Sequence, residues 1–344
     1  MADKRTEINE LGEFGLIDRI TGGFQNKHDT TVMSVGDDAA IVNPPDNQQM
    51  VITSDMLLEG VHFDLAYMPL KHLGFKAIAV NISDVAAMNA IPSQVIVNIG
   101  LSNRFSVEAV EELYEGIRIA CEAYNVDLAG GDTNASRSGL TISVTAIGFG
   151  EKNMITRRSG VKEQDIVCVT GDLGAAYLGL QILEREKQVF LSNPDMQPKL
   201  EGYDYLIQRQ LRPEARKDII HELRERKIVP TSMIDISDGL ASEVFHLAGK
   251  SKVGFRIFED KIPLDKITYD TAIEFKIDST TCAMNGGEDY ELLFTISQED
   301  HEKLKDHPDI HFIGYAQASK EGIELATKGG NIVPIEAQGW SHLK

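Results

Sequence analysis

Acidic side chains beside glycine, serine or threonine recur along this 344-residue chain, and each follows an apolar stretch. The segments that contain them are VGDDAAI (35–41), TSDMLLEGVHF (53–63), NISDVAAM (81–88), AGGDTN (129–134), TGDLG (170–174), IDISDGL (234–240) and NGGEDYELLF (285–294). Aspartate offers the hard oxygen ligands that Mg²⁺ prefers, and serine and threonine hydroxyls donate to phosphate oxygens. Glycine lets the backbone approach a phosphate closely, although a single Gly-Asp pair is typical of turns. The repeated pattern therefore predicts a metal and phosphate site.

Other common catalytic motifs are incomplete or absent from the sequence. Gly249-Lys250-Ser251 supplies the end of a phosphate-binding P-loop, but Val244 stands where the first glycine is required. The protein-kinase motifs HRD and DFG, the metalloprotease motif HExxH and the hydrolase motif GxSxG do not occur. The nine histidines lack metal-ligand spacing. His62 follows an acidic motif, and both a structural role and a contact with a substrate remain open for it.

Composition and charge limit the classes of partner. A net charge of −19 argues against binding to nucleic acid or to an anionic membrane, since phosphate groups would be repelled. Apolar runs such as Val95–Leu101 are far shorter than the roughly 20 residues that a membrane span needs. The polar start MADKRTEINE lacks the apolar core of a signal peptide, so we expect a cytoplasmic protein. The acidic excess alone is also compatible with a role in solubility, so the positions of the carboxylates must decide.

Alternating strands and helices are predicted to position the acidic segments, which indicates the α/β class. Apolar, β-branched runs predict strands at 31–35, 50–53, 94–101, 126–129, 140–148, 165–170, 290–296 and 311–314. Helical spacing predicts helices at 11–20, 73–90, 106–124, 175–186 and 237–249, the third with Ser106 as its N-cap. The polar stretch 187–203 is predicted to be irregular. A carboxylate that follows a strand is expected to face a ligand at the edge of the sheet.

The length of the chain allows two domains, each with its own core. A polar, glycine-bearing segment near 150–160 predicts a boundary there, which gives domains 1–150 and 151–344. Both halves contain an Ile-Ser-Asp phrase, at 82–84 and 236–238, and a Gly-Asp pair, at 36–37 and 171–172. These matches suggest two related α/β domains but do not prove a duplication. The three cysteines, Cys121, Cys168 and Cys282, form no CxxC motif, and we expect them to be buried and inert.

The order of these segments closely resembles the thiamine-monophosphate kinase family, which belongs to the aminoimidazole ribonucleotide synthetase-like superfamily. TSDMLLEGVHF, NISDVAAMNA, AGGDT, IDISDGL and GGEDYELLF carry the resemblance, which extends from about Glu13 to Trp340. Synthetases of the superfamily have a DGVGTK-type phrase where this chain has DMLLEGVHF. The resemblance implies a two-domain fold of α/β (α+β) type. It also implies that domain 1–150 binds ATP and Mg²⁺ and pairs across a homodimer to form a β-barrel.

The resemblance further implies roles for individual residues. The Mg²⁺ ligands would be Asp37, Thr53, Ser54, Asp55, Asp84, Asp132, Asp235 and Asp238, with Asp38 beside the first. ATP would be contacted by Gly131, Asp132, Arg158 and Ser237. The substrate would be contacted by His62, Glu288 and Trp340. Arg157 is an alternative to Arg158, and Asp289 is an alternative to Glu288. A role for Trp340 as a packing anchor also remains open.

The implied reaction joins ATP and thiamine monophosphate to give ADP and thiamine diphosphate. Its nucleophile is a phosphate oxygen with a second pKa of about 6, so it is mostly ionised at pH 7 and needs no protein base. This agrees with the absence of a catalytic-base motif. We therefore expect direct in-line transfer, with several Mg²⁺ ions reducing the repulsion between the two phosphates. The alternatives are another ATP-dependent synthetase of the superfamily and a nucleotide-binding protein without catalysis.

Overall fold

The chain divides into two units in the computed structural model, which describes residue 6, residues 8–35 and residues 40–336. Within α1 the side chains of residues 8–10 and 12–14 are not described. Unit 1 comprises Met1–Val85 and Ala90–Asn153. Unit 2 comprises Ala86–Asn89 and Met154–Lys344.

Unit 1 is built on a sheet with the strand order β3-β6-β4-β5. Its strands are β3 (Gln48–Leu58), β4 (Ile91–Leu101), β5 (Asp127–Ala135) and β6 (Thr141–Glu151). β6 pairs antiparallel with β3 and β4, whereas β4 and β5 are parallel. The helices are α1 (Ile8–Thr21), α2 (Leu70–Ala87) and α3 (Val107–Tyr124), and a short antiparallel pair joins β1 (Thr31–Met33) and β2 (Ile41–Val42).

The two faces of this sheet have different environments. On β6, Ile142, Val144 and Ala146 alternate with more exposed residues and are at most 1% exposed. Residues of β3 on the other face remain in solvent, with Ile52 61% and Met56 52% exposed. Because side chains alternate along a strand, β3 presents one side to the core and an apolar side to solvent.

Helices α2 and α3 contact each other backbone to backbone at two glycines. A Cβ atom at Gly74 would lie 2.0 Å from the carbonyl oxygen of Leu113. The contact is reciprocal, because a Cβ atom at Gly116 would lie 1.9 Å from the carbonyl oxygen of Lys71. Any larger side chain would separate the helices, so the position of α2 depends on these two residues.

Unit 2 contains a larger sheet with the strand order β13-β12-β9-β11-β7-β10-β8. Neighbouring strands are antiparallel except β12 and β9. The strands are β7 (Ile166–Thr170), β8 (Ser232–Asp235), β9 (Gly254–Phe258), β10 (Leu292–Ile296), β11 (Ile310–Gln317), β12 (Ile323–Ala326) and β13 (Ile332–Pro334). The helices are α4 (Ala175–Ser192), α5 (Asp204–Leu211), α6 (Lys217–Glu225), α7 (Leu240–Ser251), α8 (Lys266–Phe275), α9 (Ser279–Asn285) and α10 (His301–Leu304).

Among the described residues of unit 2, apolar side chains form a cluster on the sheet and another between helices. Val169, Leu293 and Ile313 of the sheet pack with Val244 and Leu247 of α7. A second cluster joins helices α4, α5, α8 and α9 through residues that include Leu178, Ile182, Leu206, Ala272 and Cys282. α5 is therefore anchored on α4 rather than on the sheet.

The α/β class predicted from the sequence is confirmed, but the acidic side chains are distributed differently from the expectation. Asp172 and Asp235 lie at strand ends, as predicted. Asp55 and Asp132 instead lie inside β3 and β5, whereas Asp84 lies on α2, within the helix predicted at 73–90. β3 continues to Leu58 because its pairing with β6 is unbroken through the TSDMLL run. Because most strand pairs are antiparallel, the carboxyl ends of neighbouring strands do not share one edge.

Several local predictions have a clear outcome. Ser106 caps α3, since its side chain accepts a hydrogen bond from the backbone N–H of Ala109. The three cysteines are buried, as expected. The irregular structure predicted from residue 187 onward was wrong at its start, because α4 continues to Ser192. In the part of the chain that the structure describes, no helix combines the length and apolar character that a membrane crossing requires.

Substitution of Gly116 by alanine should destabilise unit 1. The clash with Lys71 is expected to cost about 1–3 kcal/mol or more, which exceeds the roughly 1 kcal/mol that alanine gains in helix propensity. Urea denaturation measures the difference. Gly249→Ala on α7 is the matched control, because no atom lies within 4 Å of a Cβ atom there. Equal stability of the Gly116→Ala variant and the parent chain would contradict the backbone contact.

Candidate active site

β3 and α2 bring a hydroxyl group and two carboxylates together in unit 1. The hydroxyl of Thr53 donates to Oδ2 of Asp84 at 2.5 Å. One turn earlier on α2, Oδ1 of Asn81 accepts a hydrogen bond of 3.0 Å from the backbone N–H of Asp55. Thr53 and Asp55 lie on the same side of β3, since they are two residues apart, and Asn81 and Asp84 share a face of the helix. Three of the predicted metal ligands are thus neighbours.

The carboxylates of this group repel each other. Burial and, as the smaller cause, the nearby charge of Asp84 together raise the pKa of Asp55 to about 6. A divalent cation beside the pair would stabilise both ionised forms, because an opposite charge lowers a carboxyl pKa. The donor set of two carboxylates and a hydroxyl fits Mg²⁺, which is commonly held by one or two carboxylates together with waters and substrate phosphates.

This group does not form a complete metal cage. Within residues 8–35 and 40–336, no three His, Cys, Asp or Glu side chains gather closely enough to hold an ion. The predicted ligand Asp37 and its neighbour Asp38 lie outside the described residues, as does the predicted substrate contact Trp340. An ion bound at Asp55 and Asp84 would therefore need further oxygen ligands besides the two carboxylates, such as the hydroxyl of Thr53, waters or substrate phosphates.

Ser54 is separated from Thr53 and Asp55 by the alternation of the strand. Its hydroxyl donates to the carbonyl oxygen of Val144 at 3.1 Å and accepts from the hydroxyl of Thr145 at 3.0 Å. The structure therefore places Ser54 on the solvent-facing side of β3, beside the exposed apolar residues. The predicted strand ended at residue 53. If it had been extended through Asp55, the alternation of side chains would have placed Ser54 on the opposite face.

Gly131 and Asp132 border a small cavity of about 40 Å³. Ile17 and Tyr114 also line the cavity. The glycine has a packing reason of its own, because a Cβ atom at Gly131 would lie 2.0 Å from the carbonyl oxygen of Val97. A Cβ atom at Gly130 would meet no atom within 4 Å, so packing does not explain that glycine. Asp132 is exposed at the rim, where its carboxylate is accessible to a ligand.

His62 has a defined tautomer. The backbone N–H of Leu58 donates to Nδ1 of His62 at 3.0 Å. Nδ1 must therefore be an acceptor, and the proton of the neutral ring resides on Nε2. The ring is half-buried just beyond β3. It thus presents an N–H donor suited to a phosphate oxygen, although the hydrogen bond to Leu58 also serves the local turn.

In unit 2, Asp235 and Asp238 flank the start of α7 together with a third carboxylate that sequence reasoning missed. Glu243 is 2% exposed, and its Oε1 accepts from the backbone N–H of Asp238 at 2.9 Å. Burial, with a smaller contribution from repulsion by Asp235 and Asp238, raises the pKa of Glu243 to about 8 despite the hydrogen bond from Asp238. The sequence signal that could have identified Glu243 is its position in the first helical turn after the segment IDISDGL.

Arg157 and Arg158, the two alternatives for the ATP contact, have different surroundings. Both side chains are exposed. Burial raises the pKa of Glu243, and the charge of Arg158 weakly opposes that rise, so Arg158 is within electrostatic range of the acidic turn of Asp235 and Asp238. The backbone carbonyl of Arg157 accepts a hydrogen bond of 3.1 Å from Met233. This arrangement favours Arg158 as the arginine that accompanies the acidic turn.

The segment NGGEDYELLF packs directly on the segment IDISDGL. The backbone N–H groups of Glu288 and Tyr290 donate to the carbonyl oxygens of Ser237 and Ile236, at 2.7 and 2.9 Å. Glu288 and Tyr290 have φ angles of 58° and 52°. Non-glycine residues adopt this left-handed conformation at a cost, and such strain clusters at ligand sites. The two motifs therefore form one constrained surface within unit 2.

Glu288 and Asp289 have opposite environments. Asp289 is fully buried, accepts from the backbone N–H of Gly174 at 2.8 Å and lies 3.9 Å from Arg209. Burial raises the pKa of Asp289 to about 7. Glu288 is only half-buried, and its Oε2 accepts from Nε2 of Gln210 at 2.6 Å. The geometry therefore favours Glu288 as the residue available to a ligand and gives Asp289 a structural role.

Known proteins are similar to this chain in sequence and in fold. Residues 36–149 match the family described as AIR synthase related protein, N-terminal domain. Thiamine-monophosphate kinase of Bacillus subtilis is 34% identical over 342 residues, which cover 97% of this chain and 100% of the relative.

Solved structures share the whole fold. The structure of AaThiL complexed with AMPPCP and TMP has a TM-score of 0.75 and 34% identity, and the match covers 100% of both chains. Thiamine-monophosphate kinase from Stenotrophomonas maltophilia has a TM-score of 0.77 and 31% identity, and the match covers 92% of this chain and 96% of that one. The similarity thus extends over both units.

Asp55→Asn should stabilise the metal-free chain, and the effect should grow with pH. The pKa of Asp55 is about 6 in the folded chain against an ordinary value of 3.8. The folded state therefore binds a proton that the unfolded state has lost, and folding becomes less favourable as the pH rises from about 4 to above 6. Asparagine cannot ionise, so it avoids this cost.

We expect a gain of about 1–2 kcal/mol at pH 7.5, after allowance for the solvent that reaches this half-buried group. At pH 4.5 the gain should be roughly two to three times smaller. Urea denaturation in the presence of a chelator measures both values. Asp46→Asn, at an exposed position, is the control. A gain that does not change with pH would count against the raised pKa of Asp55.

Proposed function

The chain belongs to the thiamine-monophosphate kinase family, and from this premise we propose that it phosphorylates thiamine monophosphate with ATP. The products are ADP and thiamine diphosphate. The observation that carries the proposal is the group of Thr53, Asp55 and Asp84 on β3 and α2. A cation bound there would relieve the repulsion between the two carboxylates. The complex of the relative AaThiL with AMPPCP and TMP supports the choice of substrates.

We assign several Mg²⁺ ions to the acidic side chains of both units. The proposed ligands are Asp37, Thr53, Ser54, Asp55, Asp84, Asp132, Asp235 and Asp238. Ser54 would act on the face of β3 opposite to Thr53 and Asp55. When bound, the ions supply positive charge that reduces the repulsion between two phosphate-bearing substrates and stabilises the charge of the transition state.

The protein groups are proposed to position the substrates rather than to move protons. A phosphate nucleophile is mostly ionised at pH 7, so no side chain has to act as a base, and transfer is direct and in line. Nε2–H of His62 donates to a phosphate oxygen of the thiamine substrate. Glu288 and Trp340 contact the thiamine. Gly131, Asp132, Arg158 and Ser237 contact ATP. We propose a cytoplasmic location, and the net charge of −19 argues against a nucleic-acid or anionic-membrane partner.

We propose that the protein is a homodimer in which the sheets of two unit 1 copies close a β-barrel. The support comes from β3, whose solvent side contains the exposed apolar residues Ile52 and Met56. Burial of such a face against a second copy removes apolar surface from water, which favours association. A single chain exposes this face although the opposite face is packed.

The proposed function predicts that Asp84→Asn removes nearly all turnover without unfolding the chain. Loss of a carboxylate that holds both Thr53 and an ion should lower kcat by roughly 10²–10³-fold or more. Chromatographic detection of thiamine diphosphate from Mg-ATP and thiamine monophosphate measures the activity. Asp46→Asn should retain it. Near-normal turnover of Asp84→Asn would contradict the assignment, and a parent chain active only with aminoimidazole precursors would point to a synthetase.

Ile52→Asp should dissociate the homodimer. A charge at a position that is 61% exposed in one chain leaves that chain stable but is costly inside a barrel formed by two copies. Sedimentation velocity measures the change in mass. Ile332→Asp, at a 52% exposed isoleucine on β13, is the matched control and should leave the dimer intact. Identical sedimentation of Ile52→Asp and the parent would exclude β3 from the interface.

A further inference from the structure

We propose that Gln210 on α5 is a positioning residue of the substrate site, which fixes the carboxylate of Glu288. This inference rests on the proposed contact between Glu288 and the thiamine substrate. The direct observation is the hydrogen bond from Nε2 of Gln210 to Oε2 of Glu288, at 2.6 Å. A bond between an amide and an ionised carboxylate is stronger than one between neutral groups, and it restricts rotation of the carboxylate.

The location of Gln210 is unusual for an amide. The buried residues of α5 are Leu206, Gln210 and Leu211, and Gln210 is only 4% exposed. Burial of an amide is costly unless its polar atoms find partners, whereas an apolar residue would fill the same space without that cost. The hydrogen bond to Glu288 therefore gives the amide a reason to be there that packing does not supply.

α5 is a rigid support for this hydrogen bond. A Cβ atom at Gly179 of α4 would lie 2.1 Å from the carbonyl oxygen of Leu206 and 3.0 Å from Cβ of Gln210. The backbones of the two helices are thus in close contact beside the Cβ atom of Gln210. A side chain that starts from such a fixed point has little freedom to follow a displaced Glu288.

The residue before Gln210 holds the backbone of the same segment. Nη2 of Arg209 donates to the carbonyl oxygens of Asp172 and Asp289, at 3.0 and 3.3 Å. Nη1 of Arg209 donates to Oε1 of Glu291 at 2.9 Å. Arg209 thus stabilises the left-handed turn at Glu288, while Gln210 orients the carboxylate that the turn presents. Arg209 and Gln210 thus both contribute to the position of the Glu288 side chain.

A double-mutant cycle of Gln210→Leu and Glu288→Ala tests the inference. Gln210→Leu keeps the volume of the side chain and removes its donor, so KM for thiamine monophosphate should rise by about tenfold. KM for ATP and the melting temperature should remain close to those of the parent. In the Glu288→Ala background the same substitution should have no further effect, because Gln210 acts through Glu288. Gln208→Leu, on the exposed side of α5, should change none of these values.

The outcomes are separable. If Glu288→Ala leaves KM for thiamine monophosphate unchanged, the proposed contact of Glu288 fails and the inference fails with it. If Glu288→Ala raises that KM but Gln210→Leu does not, only the inference is overturned. Multiplicative effects of the two substitutions would also overturn it, since they would show that Gln210 acts independently of Glu288.

A second variant covers the case in which Gln210→Leu does not fold. Gln210→Glu keeps the size and polarity of the side chain but replaces the N–H donor with a carboxylate that repels Glu288. It should raise KM for thiamine monophosphate at least as much as Gln210→Leu would, with KM for ATP retained. An unchanged KM for thiamine monophosphate in a folded Gln210→Glu variant would overturn the inference.

Discussion

Repulsion between carboxylates that the fold holds close together is the constraint on which the candidate active site depends. Asp55 and Asp84 belong to different elements, and a less rigid chain would lower its energy by letting them separate. β3 resists this because it is paired with β6 along its whole length, and α2 resists it through its backbone contact with α3. The cost appears in the raised pKa of Asp55, to which burial contributes most and the charge of Asp84 adds. Stability given up in this way is a form of preorganisation, since the charges need no rearrangement when a cation arrives.

The carboxylates of the segment NGGEDYELLF in unit 2 have a different environment. Asp289 and Glu291 are almost fully buried, but hydrogen bonds and the guanidinium of Arg209 compensate for much of the cost of burial. Glu288 lies between the buried Asp289 and the acidic turn, and it keeps part of its surface in solvent. Neighbouring residues of one motif therefore have opposite roles. Buried members hold the backbone in a strained conformation, and the strained residue Glu288 keeps its side chain accessible, as its proposed contact with the substrate requires.

The sequence was informative wherever function depends on residue type and local spacing. The acidic motifs, the Ser106 cap and the central strands could be recognised from a few neighbouring residues. Ser54 could not be placed, because the predicted strand stopped at residue 53 and its alternation was not carried through to Asp55. Gln210 escaped detection for a different reason, since its partner lies 78 residues away and a glutamine in LIQRQL has no local signature. Long-range hydrogen bonds of this kind are decided by tertiary packing and not by propensity.

The alternation of β3 has a consequence for how this strand can change in length. One face contains Thr53 and Asp55, and the other contains Ile52 and Met56, which we assign to the contact between two copies. A slip of one residue in the pairing with β6 would exchange the two faces, so that apolar side chains would meet α2 and carboxylates would enter the apolar face. A one-residue insertion or deletion between the start of β3 and Thr53 therefore keeps both faces only if a β-bulge or the preceding loop absorbs it, whereas a change of two residues keeps the alternation. The proposed ion ligands and the proposed dimer contact therefore depend on the register of the same strand.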